Sequence, residues 1–336
     1  MTEALRFAKR FALLASVLCL LSACALRQAP VRREAYMLNT LCAVTVYSER
    51  DAAHLDDLFA YGRMLEGLLS ATVANSDVDK LNQNPGVEIA IAAETKEVLE
   101  KAIGYAALSQ GRFDVTAGRL TALWRFDAAP PRLPDSLALS EALATVGIDQ
   151  LRLTPNGAVL EGGMLDLGGI AKGYIADRLR DFLSERGVES ALIDLGGDIT
   201  LLGQKPDGSA FRIAVARPFT DHAERVGELL LGDVCIATSG IDRRGFDLDG
   251  RRYHHILDLS TGHPAETGLQ SVSVVCKAAA DADALATVLF LLGIEEGMAL
   301  VEELEGIEAL FVAADGGLLA SSGLTEKYFF EESGTN

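Results

Sequence analysis

Residues 164–177, MLDLGGIAKGYIAD, decide how the rest of the chain is read. Two adjacent glycines, a lysine and a further glycine lead into what reads as the first turns of a helix, the setting in which a phosphate-binding loop is sought. A dinucleotide-binding turn needs G-x-G-x-x-G, and a phosphate-binding loop needs G-x-x-x-x-G-K-S/T; the stretch has neither. Gly168 and Gly169 still let backbone approach a ligand closely. A helix starting near Ile170 also turns its unpaired N–H groups toward whatever sits there, so an anion fits. The alternative is a tight strand-to-helix turn that leaves Lys172 on a solvated face.

Outward from this turn, strands and helices mix without strict alternation. Upstream, an alternating run over 41–47 reads as a strand, and 51–69 carries apolar residues at helical spacing, with Asp51 placed as its cap. A second helix over 95–109 stops at Gly111. Proline-rich residues 127–136 read as an exposed loop, with a domain linker as the alternative. Pro155, Asn156 and Gly157 break 151–165 into a hairpin. The helix over 170–186 closes at Gly187. Strand-like runs follow at 190–195, 211–215, 228–231, 235–238 and 269–276, then an apolar helix over 282–292 and closing strands at 309–313 and 318–321. The pattern predicts an α+β fold, one large domain of mixed, mostly antiparallel sheets flanked by helices over residues 36–331.

The first two dozen residues differ in kind. Arg6, Lys9 and Arg10 precede the apolar run FALLASVLCLL, which ends in Leu21-Ser22-Ala23-Cys24. That run is short for a membrane span and has the flanks of a secretory signal. Small residues before the cysteine predict a lipoprotein signal over 1–23, acylation of Cys24, and a polar tether over 24–35 that holds an exported domain to a bacterial membrane, facing the periplasm. The alternative is an ordinary signal peptide with an incidental cysteine. Taking Glu3 and the three basic residues from totals of 48 acidic and 30 basic leaves 47 and 27, a net charge of −20. Nucleic acid is therefore excluded as a partner, and a phosphate site would need a bound cation or local backbone donors. Cys42, Cys235 and Cys276 are too far apart for a disulfide framework or a zinc site and read as buried thiols.

Two further stretches carry chemistry. In AAADADALATVLF, Asp283 and Thr287 stand four apart and so share one helix face. A carboxylate and a hydroxyl there are hard oxygen ligands suited to magnesium; alternatively, Asp281 or Asp283 only caps the helix. In GRRYHHILDLSTGHPA, alternation places His254 and His255 on opposite faces, so the two rings do not act together. One of them can serve as a general base, or the pair is a surface feature beside a Thr-Gly turn.

Five segments, LDLGGIAKGYIAD, LIDLGGDI (192–199), ATSGIDRRGF (237–246), YHHILDLSTGHP (253–264) and ADALATVLFLLG (282–293), resemble the FAD:protein FMN transferases in order and spacing. SDVDKLN (76–82) and GRFDVTAGRLTALWRF (111–126) look like the N-terminal half of that family. The resemblance covers roughly residues 36–330. It implies a T-fold-like core and magnesium-dependent transfer of the FMN part of FAD to a threonine or serine of an acceptor redox protein or membrane electron-transfer subunit, with release of AMP. A binding lipoprotein or an FAD pyrophosphatase without transfer is the alternative. Position by position, the resemblance makes Asp283 and Thr287 metal ligands together with the backbone oxygen of Gly169, and gives catalytic roles to His255 and Asp283. It sets Leu38, Thr72, Arg112, Phe113, Asp114, Asp166, Lys172, Ile256 and Thr261 around the flavin nucleotide. The chain departs from the family pattern at Leu38-Asn39-Thr40, where M-G-T is usual. Thr72 stands where an aromatic residue is common, and Leu259 replaces a proline.

Overall fold

The computed structural model describes residues 29–126, 130–220, 224–328 and 330–333. The signal run, Cys19 and Cys24 lie outside the described residues, as does part of the proline-rich loop. The chain opens with β1 (Val31–Met37), β2 (Thr40–Val46), α1 (Glu49–Ala52), α2 (Leu55–Leu69), α3 (Asp77–Gln83), α4 (Ala93–Leu108), α5 (Gly118–Trp124) and α6 (Ser136–Leu143). A short hairpin, β3 (Leu151–Leu153) and β4 (Ala158–Leu160), leads to α7 (Ala171–Glu185). Then come β5 (Ala191–Leu195), β6 (Ile199–Leu202), β7 (Phe211–Ala216), β8 (Arg225–Leu231), β9 (Cys235–Gly240), β10 (Gly245–Leu248), β11 (Arg251–His254) and β12 (Leu269–Cys276). The chain closes with α8 (Ala279–Glu303), β13 (Glu308–Ala313), β14 (Leu318–Ala320), α9 (Ser322–Tyr328) and β15 (Glu331–Glu332).

Eight strands form one sheet in the order β1-β2-β5-β6-β9-β12-β13-β14, antiparallel at every junction. One face of it carries α2, α7 and α8 over a core that includes Val44, Ile193, Val274 and Phe290. The other face is partly covered by the small sheet β15-β8-β7 over Leu201, Phe211, Leu229 and Leu310. Because both faces are packed there, β12 is almost continuously buried instead of alternating. Strand β5 sits farther toward the open side. It alternates buried Ala191, Ile193 and Leu195 with half-buried Leu192 and Asp194. Helices α5 and α6 and the β10–β11 hairpin enclose a third cluster around Trp124, whose indole N–H donates to the Gly262 carbonyl at 2.9 Å.

The α+β, antiparallel architecture expected from the sequence is present, with local differences. The sheet begins at Val31, inside the segment expected as a tether, because β1 pairs along its whole length with β2. Ser48, not Asp51, caps the first helix by accepting the Asp51 N–H at 3.0 Å, and a break near His54 splits the expected 51–69 helix into α1 and α2. Helix α8 is much longer than 282–292. It continues past Gly293, which adopts φ +78° and joins two helical segments. Strand β6 and the β10–β11 hairpin are not among the expected strands, nor α3, α5 and α6 among the expected helices.

Candidate active site

The site is built at the corner where the N-termini of α7 and α8 meet. Gly173 makes the approach possible: a Cβ added there would stand 2.2 Å from the Ala279 carbonyl oxygen and 2.8 Å from Cα of Ala280. From α7, Asp177 caps its neighbour, accepting the N–H groups of Ala279 at 2.8 Å and Ala280 at 2.9 Å. Neither Asp281 nor Asp283 caps α8, which overturns that alternative. Asp281 pairs with Lys101 at 2.7 Å, and Asp283 is left to face the corner. One of its oxygens accepts the Gly173 N–H at 3.0 Å.

Lys172, the lysine of the opening stretch, is not on a solvated face. Its ammonium pairs with Asp198 and lies 3.6 Å from Asp283 Oδ1. Burial alone would lower its pKa, but the two carboxylates outweigh burial and raise it, so the group stays charged. Burial pushes the Asp283 carboxyl up from its usual range, and the Lys172 ammonium opposes that push. One turn farther along α8, Thr287 Oγ1 meets the Ser239 hydroxyl at 2.9 Å. Gly169 lies against the same spot: a methyl there would stand 3.9 Å from Thr287 Oγ1 and 3.0 Å from the Phe113 ring. Gly169, Lys172, Asp283 and Thr287 are thus brought together at one corner.

Asp198 and Ser239 lie within the family-like segments 192–199 and 237–246, but neither has a role in the sequence pattern. A signal was available: the tetrapeptide DLGG occurs twice, at 166–169 and 194–197. Each copy folds its aspartate onto the glycine turn. Asp166 Oδ1 accepts from the Gly168 N–H at 2.9 Å, and Asp194 Oδ1 accepts from the Gly197 N–H at 2.8 Å. The first turn leads to Lys172 and the second to its partner Asp198.

The other expected site residues fall into two groups. Asp166 and Phe113 adjoin the corner, the former held by Thr121 Oγ1 at 2.9 Å. Asp114 turns back on itself, accepting from the N–H and hydroxyl of Thr116 at 2.8 and 2.7 Å. Arg112 forks onto Glu296 of α8. Leu38 occupies the β1–β2 turn with φ +56°, and its N–H donates to Glu66 at 2.9 Å. Thr72 is exposed beside Ser70. Ile256 is buried in the main core, whereas Thr261 sits in an exposed turn built on Asp258. Ile256 shares the main core cluster with Phe113, Leu167 and Ile170 of the corner, and among the described residues no cluster of three or more His, Cys, Asp or Glu side chains suited to a metal occurs.

The adjacent histidines have separate surroundings, as alternation implied. His254 is buried against Phe290, with Nε2 3.2 Å from the Ala265 carbonyl. His255 is half-buried, and its Nδ1 lies 3.2 Å from the Arg244 carbonyl. A neutral ring donates from Nδ1 to that carbonyl and leaves Nε2 free to accept a proton. The charges of Arg244, Lys172 and Asp166 all act on His255. Burial lowers both rings from 6.5 to about 4. The unfolded chain takes up protons at these rings below about pH 6.5, and the folded protein does so only near pH 4. The stability given by the neutral rings is therefore complete above pH 6.5 and lost as pH falls toward 4. For His254 the slope reaches ~1.4 kcal/mol per pH unit. Urea unfolding of the protein and of His254→Phe at pH 7, 5.5 and 4.5 checks this: the variant should lose part of the decline, and parallel curves would contradict it.

Fold and site together define an antiparallel-sheet α+β protein with an oxygen-rich corner beside a half-buried, carboxylate-paired lysine. The chain belongs to the ApbE family, whose sequence model matches residues 38–311. A FAD:protein FMN transferase from Treponema pallidum is 35% identical over 343 residues, covering 95% of this chain and 94% of the relative. One from Klebsiella pneumoniae is 33% identical over 293 residues, with 86% and 90% covered. Among solved structures, the ApbE protein from Thermotoga maritima aligns with a TM-score of 0.83 at 30% identity, covering 89% of this chain and 99% of that one. The flavin transferase ApbE from Vibrio cholerae aligns with a TM-score of 0.78 at 31% identity and the same coverage.

Proposed function

We propose that this protein transfers the FMN moiety of FAD to a threonine or serine hydroxyl of an acceptor redox protein, releasing AMP. The family relationship supports the reaction class. The observation that carries the reading within this chain is the convergence of Gly169, Lys172, Asp283 and Thr287 at one corner.

The corner fits magnesium. Its donors are a carboxylate, a hydroxyl and a backbone carbonyl, all hard oxygens, with too few carboxylates and no imidazole or thiolate to favour a transition metal. Asp283, Thr287 and the Gly169 carbonyl would hold the ion, which, when bound, neutralises charge on the pyrophosphate as it builds. The chain's own groups do the rest. Lys172 supplies a fixed positive charge to a protein that is otherwise strongly acidic. The glycine turn lets backbone approach the phosphates, while Asp166 holds that turn in shape. His255, neutral at pH 7, accepts the acceptor's hydroxyl proton at Nε2. The hydroxyl oxygen bonds to the FMN-side phosphorus, the bond from that phosphorus to the bridging oxygen breaks, and AMP leaves with the electron pair. An acylated Cys24 and a periplasm-facing site belong to the same proposal. They are supported by the sequence of the first two dozen residues and by the six residues that separate Cys24 from β1.

The test is to incubate the purified protein with FAD, magnesium and candidate redox proteins, then look for flavin fluorescence on a denaturing gel. AMP without a labelled band means hydrolysis, and neither product means binding alone. Exchanging His255 for alanine should lower turnover by roughly 10²- to 10⁴-fold while FAD still binds. Loss of FAD binding instead would give His255 a structural role.

A further inference from the structure

A cleft of about 1940 Å³ lies between the open part of the eight-stranded sheet and the small sheet. On one wall are Leu41, Leu192, Ile199 and Ile236 of the large sheet. On the other, every residue from Arg212 to Arg217 lines it. A strand that shows only one face to a cavity would contribute alternate residues, so this run places the edge of β7 in the cleft. β7 ends its sheet and pairs only with β8 among the described residues, which leaves the backbone N–H and C=O groups of that edge available for another strand. Six residues at about 3.3 Å each give about 20 Å of such edge.

The cleft ends at the active site. The Phe219 N–H, just past β7, reaches toward Asp242 at 3.4 Å. The neighbouring Arg243 donates to the Gly196 carbonyl at 2.8 Å and covers Gly197, where a Cβ would stand 2.7 Å from its Nη1. Thr238, on the cleft wall, donates its N–H to Asp198 Oδ1 at 3.1 Å, and the other oxygen of Asp198 holds Lys172. One carboxylate thus separates the cleft from the corner. The cleft's arginines are largely neutralised: Arg212 and Arg225 both pair with Glu228, and Arg217 with Glu224 at 3.4 Å. Recognition there relies on backbone pairing and apolar contact more than on charge.

We propose that this cleft docks an extended, mostly uncharged segment of the acceptor protein as an added strand on β7, with its threonine or serine presented at the Arg217 end, next to the Asp198–Lys172 pair. The inference rests on the transfer reading above, because only a protein acceptor needs such a groove. Exposed Ala214 is the residue to change, since a proline in an edge strand removes a donor without breaking a central ladder.

The probe is whichever redox protein acquires flavin fluorescence in the gel assay. Ala214→Pro is expected to raise the KM for that acceptor at least tenfold and leave FAD affinity, read by flavin fluorescence, unchanged. An unchanged acceptor KM in a variant that still binds FAD overturns the inference. Should the variant lose FAD binding, hydrogen exchange on the wild-type protein decides: added acceptor should slow the amides of residues 212–216, and unaltered exchange overturns docking at β7. A wild-type protein that releases AMP and labels no acceptor overturns the transfer reading itself, before any variant is made.

Discussion

Replacing Asp283 with alanine is expected to abolish magnesium-dependent transfer, with kcat/KM for FAD falling at least ~10³-fold, or about 4 kcal/mol of transition-state stabilisation. Asp283 is 6% exposed and supplies the only carboxylate among the proposed metal ligands. Without it, a hydroxyl and a carbonyl remain, which do not compete with the hydration of magnesium. Lys172 keeps Asp198 as its partner, so the change does not leave its ammonium unpaired. Asp283→Asn separates charge from shape, because the amide oxygen can still accept from Gly173 while the negative charge is gone; it should be nearly as inactive. An alanine variant that still labels its acceptor in a magnesium-dependent way would sink the metal assignment.

The second large effect is structural. Gly173→Ala should lower stability by roughly 3 kcal/mol and reduce transfer with it. The added methyl would meet the Ala279 carbonyl at 2.2 Å. That atom is backbone in the first turn of α8, held by Asp177, and cannot swing aside as the tip of a side chain can. The two helix ends must separate, carrying Lys172 away from Asp283. Urea unfolding should show a lower midpoint with an unchanged slope. Wild-type stability would mean that α7 and α8 are less closely packed than described.

The sequence shows most clearly what local spacing determines. β12 matches the expected 269–276 run end for end because seven of its eight residues, all but Gln270, are apolar or small. Asp283 and Thr287 could be placed on one face from helical geometry alone. Features that depend on distant partners were hidden. The α8 cap comes from Asp177, 102 positions before Ala279, so the acidic residues at the start of α8 invited a capping role they do not have. Asp198 matters because its turn delivers it to Lys172, a relation no spacing rule contains. Gly293 reads locally as a stop, yet tertiary packing carries α8 through it, with Val301 buried in the main core. Leu38, Thr72 and Thr261 were placed around the flavin nucleotide by resemblance, and their surroundings are turns at the rim of the fold.

The buried thiols turn the central sheet into its own reporter. Cys42 lies on β2, while Cys235 and Cys276 face each other across β9 and β12. Burial lifts the first two to about 11 and the third to about 12. Thiolate is the reactive form, so in the closed protein these groups are inert toward alkylating reagents near neutral pH, and modification requires the strands to open. The order in which Cys42 and the Cys235–Cys276 pair are labelled therefore tells which half of the sheet opens first, without any added probe.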